Sequence, residues 1–394
     1  MVSAPFGHKS ACGPGTSFAQ KPYLLHYMYM SLSIGIVGLP NVGKSTLFNA
    51  LTDSTILAAN YPFATIEPNT GIVPVPDARL TALSQLYHNA PIKPATVSFV
   101  DIAGLVAGAS KGEGLGNQFL AHIRGCSAII QVVRAFDDGD VLRSDSSKDP
   151  LHDIDVINTE LVLADLQTVE RRLPRLQKEA KANPKLTEQV RFLENVRAAL
   201  DQGKPLFACQ DIMTSESADW LRQELQLLTL KNIIYLFNVD EAALTDADKQ
   251  AELAKLVTPA KALFVNAKLE DELKSLDGDD RQELLESYGV YESGLVQVIH
   301  AAYETLGLQS YLTAGDKEVR AWTITKGATA PQAAGVIHGD FEKGFIAAQI
   351  VAYSDLINAG SEQAAKAAGK VATVGKDYVM QPDDVVEFRF NVTK

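Results

Sequence analysis

Gly38-Leu39-Pro40-Asn41-Val42-Gly43-Lys44-Ser45-Thr46 follows the spacing G-x-x-x-x-G-K-[ST] without a departure. Its flanks fit the same reading. Ser31 to Val37 is a short apolar run of strand character (Leu32, Ile34, Ile36, Val37), and Leu47, Phe48 and Leu51 then recur at helical spacing. A strand, a glycine-bearing turn and a helix N-terminus in that order wrap backbone N–H groups around phosphates and favour negative charge. Backbone donors from Asn41, Val42, Gly43, Lys44, Ser45 and Thr46 are expected to hold the phosphates. Lys44 reaches the β- and γ-phosphates in this reading, and the Ser45 hydroxyl ligates Mg²⁺.

Strand-like and helical runs alternate outward from that loop to about Asp140. Val97-Ser98-Phe99-Val100-Asp101 and Ala128-Ile129-Ile130-Gln131-Val132-Val133 are continuous apolar strands of the kind buried in a parallel sheet. Residues 151–227 change character. They are polar and helical, with Leu161, Leu163, Leu166, Val169 and Leu173 at mixed three- and four-residue spacing, which predicts one or two long antiparallel helices. Strand pattern returns at Asn232-Ile233-Ile234-Tyr235-Leu236-Phe237 and at Ala262-Leu263-Phe264-Val265. An α/β unit interrupted by a helical insertion and then completed is therefore expected. Beyond it, Val319 to Ile324, Phe341 to Ile346 and Val385 to Phe390 read as strands around one helix, and the Ala/Gly/Lys-rich stretch 359–370 as a helix end and loop.

Bulk properties narrow the class. The chain has 394 residues, with 46% hydrophobic and 21% charged residues, values ordinary for globular protein. No apolar run is long enough to span a bilayer, and no membrane partner is expected. The net charge of −12 does not advertise nucleic acid over the whole surface, and no DNA partner is expected. Cys12, Cys126 and Cys209 are odd in number and far apart, with neither a disulfide framework nor a metal spacing, which fits a reducing, cytoplasmic compartment. Residues 1–29 are rich in Gly, Pro, Ser and Tyr, lack apolar periodicity and lack the layout of a signal peptide. We expect a disordered or non-native leader there, with the native start at Met30.

The companions of the loop specify its chemistry. Asp101-Ile102-Ala103-Gly104 ends the strand at 97–101. An Asp so placed holds Mg²⁺ through a water, and the adjacent Gly104 lets its N–H approach a γ-phosphate. Thr65, in the irregular segment Asn60 to Pro68, is placed to complete the Mg²⁺ shell while the γ-phosphate is present, the order–disorder device of GTPase-like switches. Leu105 stands where Ras-like enzymes keep a Gln that orients the attacking water. Leu has no donor or acceptor, so hydrolysis is expected to be slow or to use another group. His122, Arg124 and Arg134 are read singly as surface or structural residues. At the end of the strand 232–237 the chain has Asn238-Val239-Asp240-Glu241, where GTPases read guanine with Asn-Lys-x-Asp. Asn238 fits, Val239 replaces the Lys, and Glu241 replaces the Asp. A longer carboxylate spoils the fork to guanine, which makes ATP plausible; a one-residue slip that uses Asp240 keeps GTP open. Asn266-Ala267-Lys268 stands in the place of the usual Ser-Ala-Lys.

Together with Tyr61-Pro62-Phe63-Ala64-Thr65-Ile66-Glu67-Pro68-Asn69, Gly112-Glu113-Gly114-Leu115-Gly116-Asn117, Ile157-Asn158-Thr159-Glu160-Leu161, Val319-Arg320-Ala321-Trp322-Thr323 and Gly327 to Gly335, these motifs make residues 30–394 resemble the YchF/Obg-like ATPase family of P-loop proteins. The resemblance implies an α/β fold: a P-loop NTPase G domain (30–148 and 229–308), an inserted helical coiled-coil domain (149–228) and a C-terminal TGS domain of β-grasp fold (309–394). It implies slow hydrolysis of ATP in preference to GTP, Mg²⁺, and association with ribosomes, through the large subunit or RNA, as a nucleotide-state switch in translation or stress regulation. A monomer or weak dimer is expected. The family often carries a His in the loop after the strand Val132-Val133-Arg134, and that place holds Arg143 here. An Arg is no general base at neutral pH, but it can stabilise phosphate charge. K⁺ assistance at Asn41 is a further expectation. Two other readings stay open: a GTPase of the same architecture, and a binding module whose nucleotide is regulatory and whose turnover is incidental.

The helical insertion supplies its own reason for an RNA partner. Between Arg171 and Arg197 eight Lys/Arg stand against three acids, Glu179, Glu188 and Glu194. That excess on a long helix can track a phosphate backbone, or simply form a solvated face. In the terminal unit Trp322, Phe341 and Phe345 are expected in the core rather than stacked on bases.

Overall fold

The computed structural model describes residues 32–52, 69–102, 115–136, 149–276 and 278–391. Two six-stranded sheets organise them. The first has the strand order β2-β4-β1-β5-β6-β7, with β1 Ser33–Val37, β2 Thr70–Pro74, β4 Thr96–Asp101, β5 Ala128–Ala135, β6 Asn232–Val239 and β7 Lys261–Val265. Only β2 runs antiparallel to its neighbour; the other pairs are parallel. Parallel strands covered on both faces need continuous apolar runs. β5 meets that need, with seven consecutive buried residues from Ala128 to Arg134. The expected doubly covered α/β sheet is present.

Helix α1, Lys44–Thr52, follows β1 directly and buries Leu47, Ala50 and Leu51 at three- and four-residue spacing against the sheet. α2 (Ala78–Leu86) and α3 (Leu115–Gly125) follow β2 and β4 in the chain. Because β1, β4, β5 and β6 run parallel, their carboxyl ends share one rim, where α1 begins, and surround one crevice of the kind in which open α/β sheets bind ligands.

The insertion is helical, as its spacing predicts. α4 runs over Pro150–Ala182, with Pro150 at its first turn and Asp149 as cap, the carboxylate accepting from Leu151 N at 2.9 Å. A short turn at 184–186 reverses the chain into α5, Thr187–Asp201. Val169, Leu173 and Leu176 of α4 meet Leu193, Val196 and Leu200 of α5 in a core of their own. The root of this arm is pinned by Asp165. Its buried carboxylate accepts from Leu228 N (2.8 Å), Thr229 N (2.8 Å) and Thr229 Oγ1 (2.7 Å). Nearby, the Lys231 ammonium donates to the Arg124 and Cys126 carbonyls at the end of α3, and its burial pulls its pKa down.

The second sheet has the order β11-β10-β12-β8-β9-β3. Its strands are β8 Leu308–Gly315, β9 Glu318–Thr325, β10 Phe345–Ala352, β11 Ala372–Val374 and β12 Asp384–Phe390, joined at the edge by β3, Ile92–Lys93. β3 lies between α2 and β4 in the chain, so a segment of the first unit completes the sheet of the second. Lys93–Glu318 (2.7 Å) and Arg79 to Asp383 (2.8 Å) and the Pro382 carbonyl (2.7 Å) fasten the same junction.

Three local expectations need correction. Residues 341–343 are helical, within Gly339–Lys343, and the strand starts only at Phe345. The His338 ring accepts from Asp340 N and starts the helix; at Gly344 a Cβ would sit 2.1 Å from the Asn391 carbonyl oxygen, so the chain turns there. The stretch 359–370 holds a second helix, Glu362–Ala367, capped by Ser361 after Gly360 ends the preceding one at φ 73°. The unit has several helices rather than one, Ala330–Ile337 among them. Phe345 is buried, and Trp322 and Phe341 pack against the same core.

Candidate functional site

The phosphate loop connects β1 to α1. Asn41 (φ 62°) and Gly43 (φ 93°) both take left-handed backbone, which turns successive N–H groups toward one side. Asn41, Ser45 and Thr46 are exposed, Val42 is buried, and Gly43 and Lys44 are half-buried. A Cβ on Gly43 would fall 2.3 Å from Asn238 Nδ2, so only glycine allows this approach. The helix hydrogen bonding begins with Leu47 N to the Gly43 carbonyl at 3.0 Å, which leaves the N–H groups of the first turn directed outward.

Lys44 Nζ stands 3.5 Å from Asp101 Oδ1, across the crevice between α1 and β4. Asp101 closes β4 in register with Ile36 of β1, and its backbone N–H is held by the Asn69 carbonyl at 2.8 Å. Oδ1 is buried and accepts no hydrogen bond among the described residues; the ion pair is too long to supply one. A buried carboxylate oxygen beside the phosphate loop, with the Ser45 hydroxyl on the adjoining turn, is a donor set suited to a hydrated divalent cation. Among the described residues no group of three or more His, Cys, Asp or Glu forms a separate metal cluster.

On the other side of the loop, the ends of β6 and β7 are tied to it. Asn238, buried, donates from Nδ2 to the Val42 carbonyl (3.0 Å) and accepts at Oδ1 from Ala267 N (3.0 Å). Val239 is 1% exposed, so its side chain packs inward rather than offering a stacking surface. Asp240 is engaged by Ala243 N at 3.0 Å and by Lys249 Nζ at 3.1 Å. Glu241 is exposed. Asn266 is buried, donates to the Val239 carbonyl at 3.0 Å and accepts from Leu269 N at 2.8 Å, capping the helix Ala267–Leu273. On that helix, burial pushes the Glu270 carboxyl up, against hydrogen bonds from Ser293 Oγ and Gly294 N, both at 2.6 Å.

The structure thus brings together Asn41, Val42, Gly43, Lys44, Ser45, Thr46, Asp101, Asn238, Val239 and Glu241 around one rim. Thr65, Gly104, Leu105, Arg143 and the leader 1–29 lie outside the described residues. Arg124 and Arg134 sit in structural contacts, Arg124 with Thr168 Oγ1 at 3.2 Å and Arg134 with its Cζ 4.4 Å from the Phe136 ring centroid. His122 is exposed on α3. On the arm, Arg172 is neutralised by Glu179 and Glu224, while Arg171, Arg175, Lys178, Lys181, Lys185 and Arg191 are exposed. The role of Asn266 was not read from the sequence, although the Asn in place of Ser was its visible signal.

Comparison with known proteins adds the following. Residues 33–171 match the family described as 50S ribosome-binding GTPase. Residues 308–391 match the family YchF-GTPase_C, described as a protein of unknown function (DUF933). The chain is 48% identical over 369 residues to a Bacillus subtilis protein named Ribosome-binding ATPase YchF, covering 92% of this chain and 100% of the relative. It is 50% identical over 371 residues to the Haemophilus influenzae protein of the same name, with the same coverage. Among solved structures, that of the Schizosaccharomyces pombe YchF GTPase superposes with a TM-score of 0.80 at 38% identity, over 91% of this chain and 98% of that one. No helix among the described residues is long and apolar enough to cross a membrane.

Proposed function

The chain belongs to the YchF family, and from that premise we propose that it is a ribosome-binding ATPase that hydrolyses ATP slowly and reports its nucleotide state to the ribosome. The observation that carries the hydrolase reading is the Lys44–Asp101 pair at the mouth of the phosphate loop, 3.5 Å apart. In this reading Asn41 to Thr46 hold the phosphates through backbone N–H groups, and the Lys44 ammonium balances their charge. Ser45 and Thr65 would hold Mg²⁺ with Asp101 behind a water; the ion, when bound, neutralises charge on the β- and γ-oxygens. The orphaned Asp101 oxygen supports that assignment. Gly104 senses the γ-phosphate, and Leu105 in place of a Gln keeps turnover slow. Arg143 is the candidate to offset developing phosphate charge. K⁺ at Asn41 is the remaining cofactor proposal.

Preference for ATP rests on the base side. Asp240, the residue a guanine reader would have to recruit by a one-residue slip, already caps Ala243 N and pairs with Lys249. Glu241 is the exposed carboxylate left to meet the base. The second reading, a GTPase, keeps weight because the solved relative is titled a GTPase. The third, a nucleotide-regulated binding module with incidental turnover, draws on Leu105 and Arg143. Contact with the large subunit or its RNA through the exposed cations of α4 and α5 is the proposed mode of ribosome binding, by a monomer or weak dimer acting in the cytoplasm.

Titration with fluorescent ATP and GTP analogues in Mg²⁺, followed by phosphate release with and without ribosomes, tests this. Tighter ATP binding with slow ATP turnover is expected. Tighter GTP binding replaces the ATPase reading by the GTPase one; binding without turnover under any condition leaves the module.

A further inference from the structure

Two asparagines, one at the end of β6 and one just after β7, reach across to each other's loops. Asn238 and Val265 are register partners at the ends of these strands. Asn238 Oδ1 accepts from Ala267 N, at the start of the helix that follows β7, at 3.0 Å. Asn266 Nδ2 donates to the carbonyl of Val239, the last residue of β6, at 3.0 Å. The outer ends of both amides are also engaged, Asn238 on the Val42 carbonyl of the phosphate loop and Asn266 on Leu269 N. Both side chains are buried, at 5% and 8% exposure, so these bonds do not compete with bulk water. The phosphate loop and the two loops beyond β6 and β7 are one hydrogen-bonded block.

We propose that Asn266 is the positioning residue for base discrimination: by holding the Val239 carbonyl it fixes the backbone that aims Glu241 at the nucleotide base. This rests on the reading above that the base lies against these loops. Glu241 is exposed, and no hydrogen bond or ion pair holds its side chain among the described residues. Its direction is therefore inherited from residues 239–241. That backbone is braced on one side by Asp240 on Ala243 N and on the other by Asn266 on the Val239 carbonyl. An amide is the group that serves both ends here, one atom accepting the helix N–H and the other donating to a carbonyl. A serine still caps the helix, since Ser is as good a cap as Asn. Its hydroxyl oxygen is a bond shorter than the amide nitrogen and falls short of the Val239 carbonyl. An aspartate keeps the cap and turns an acceptor toward an acceptor.

The test compares the full chain with its Asn266→Ser and Asn266→Asp variants. Affinities for fluescently labelled ATP and GTP are measured with Mg²⁺, inorganic triphosphate is used as competitor, and thermal unfolding is recorded. Asn266→Ser should shrink the ratio between the two nucleotide affinities about fivefold, the net size of one hydrogen bond, while competition by triphosphate is unchanged. Asn266→Asp should shrink it further. A lower unfolding temperature with an unchanged ratio makes Asn266 structural only and overturns the proposal. A wild-type chain that binds ATP and GTP equally overturns both the base reading and this proposal. A wild-type chain that discriminates alongside a Ser variant that discriminates as well overturns this proposal alone.

Discussion

Lys44 Nζ and Asp101 Oδ1 lie 3.5 Å apart, and the acceptor oxygen has no hydrogen bond of its own among the described residues. The pair joins the first residue of α1 to the last residue of β4. Each charge is compensated by the other across the crevice; in the function proposed above, bound nucleotide would draw Lys44 to phosphate and Asp101 to the hydrated cation. Lys44→Ala should lower phosphate release by at least about a hundredfold, the scale of losing one preorganised transition-state contact. Asp101→Asn should leave the chain folded and make turnover insensitive to Mg²⁺ concentration over the range where the wild type saturates. Both are read by phosphate release across a Mg²⁺ series; wild-type rates in Lys44→Ala refute the site.

Gly43→Ala isolates the phosphate loop's geometry from its charge. The new Cβ would meet Asn238 Nδ2 at 2.3 Å, on a backbone at φ 93° where an L side chain costs about 1–2 kcal/mol. Relief requires Asn238 to release the Val42 carbonyl or the loop to move. Nucleotide affinity should fall at least about tenfold, while the far-UV spectrum is retained, because the sheet core does not involve this position. Unchanged affinity in a fluorescence titration contradicts the close approach.

Some of this site was legible in the sequence and some was not. The order strand, Gly38 to Thr46, helix fixes its own local geometry, so β1 and α1 could be placed from the motif alone. The buried strands β5 and β6 announce themselves by dense apolar runs, Ile129-Ile130 and Val132-Val133 on either side of Gln131 and Ile233 to Phe237. By contrast, β3 is two exposed residues, Ile92 and Lys93, and exists as a strand because β9 offers an edge; no period can reveal it. The partners of Asn238 are equally hidden. Its amide meets the Val42 carbonyl, 196 positions away in sequence, and spacing within 238–241 says nothing of that. The run Phe341 to Ile346 misled because its apolar residues, Phe341, Phe345 and Ile346, lie on either side of a helix end and a strand start, separated by a glycine whose role depends on Asn391.

Asp165 carries the seating of the helical arm. Removing its carboxylate strands Leu228 N, Thr229 N and Thr229 Oγ1 in a site that is 0% exposed. Each buried donor left without an acceptor costs about 1–3 kcal/mol. Asp165→Ala should therefore destabilise the chain by about 3 kcal/mol or more in urea denaturation, with early proteolytic cleavage near residues 225–231. The nucleotide crevice lies on a different rim, so nucleotide affinity measured well below the unfolding transition should change little. A loss under about 1 kcal/mol contradicts the pinning role.

Tyr235 gives the alkaline limb of stability a specific origin. Its ring is 1% exposed and edge-on to Phe207, with centroids 6.5 Å apart, and its hydroxyl is 3.4 Å from the Asn158 side chain. Burial pushes the phenol from 10.0 up to about 12. The unfolded chain then loses this proton near pH 10 while the folded one keeps it. Stability from this group is complete below pH 10 and is lost as pH rises through about 12. Two units correspond to about 2.7 kcal/mol at most. Tyr303 and Tyr378 are raised in the same direction, so the chain as a whole weakens over this window for several reasons. Tyr235→Phe keeps the ring and removes only its share. The variant should match the wild type to within about 1 kcal/mol at pH 8, since a 3.4 Å hydrogen bond contributes little, and should fall less steeply between pH 10 and 12 in denaturant titrations. Parallel curves for the two proteins over that window would show that the buried phenol ionises without cost, against the burial that surrounds it.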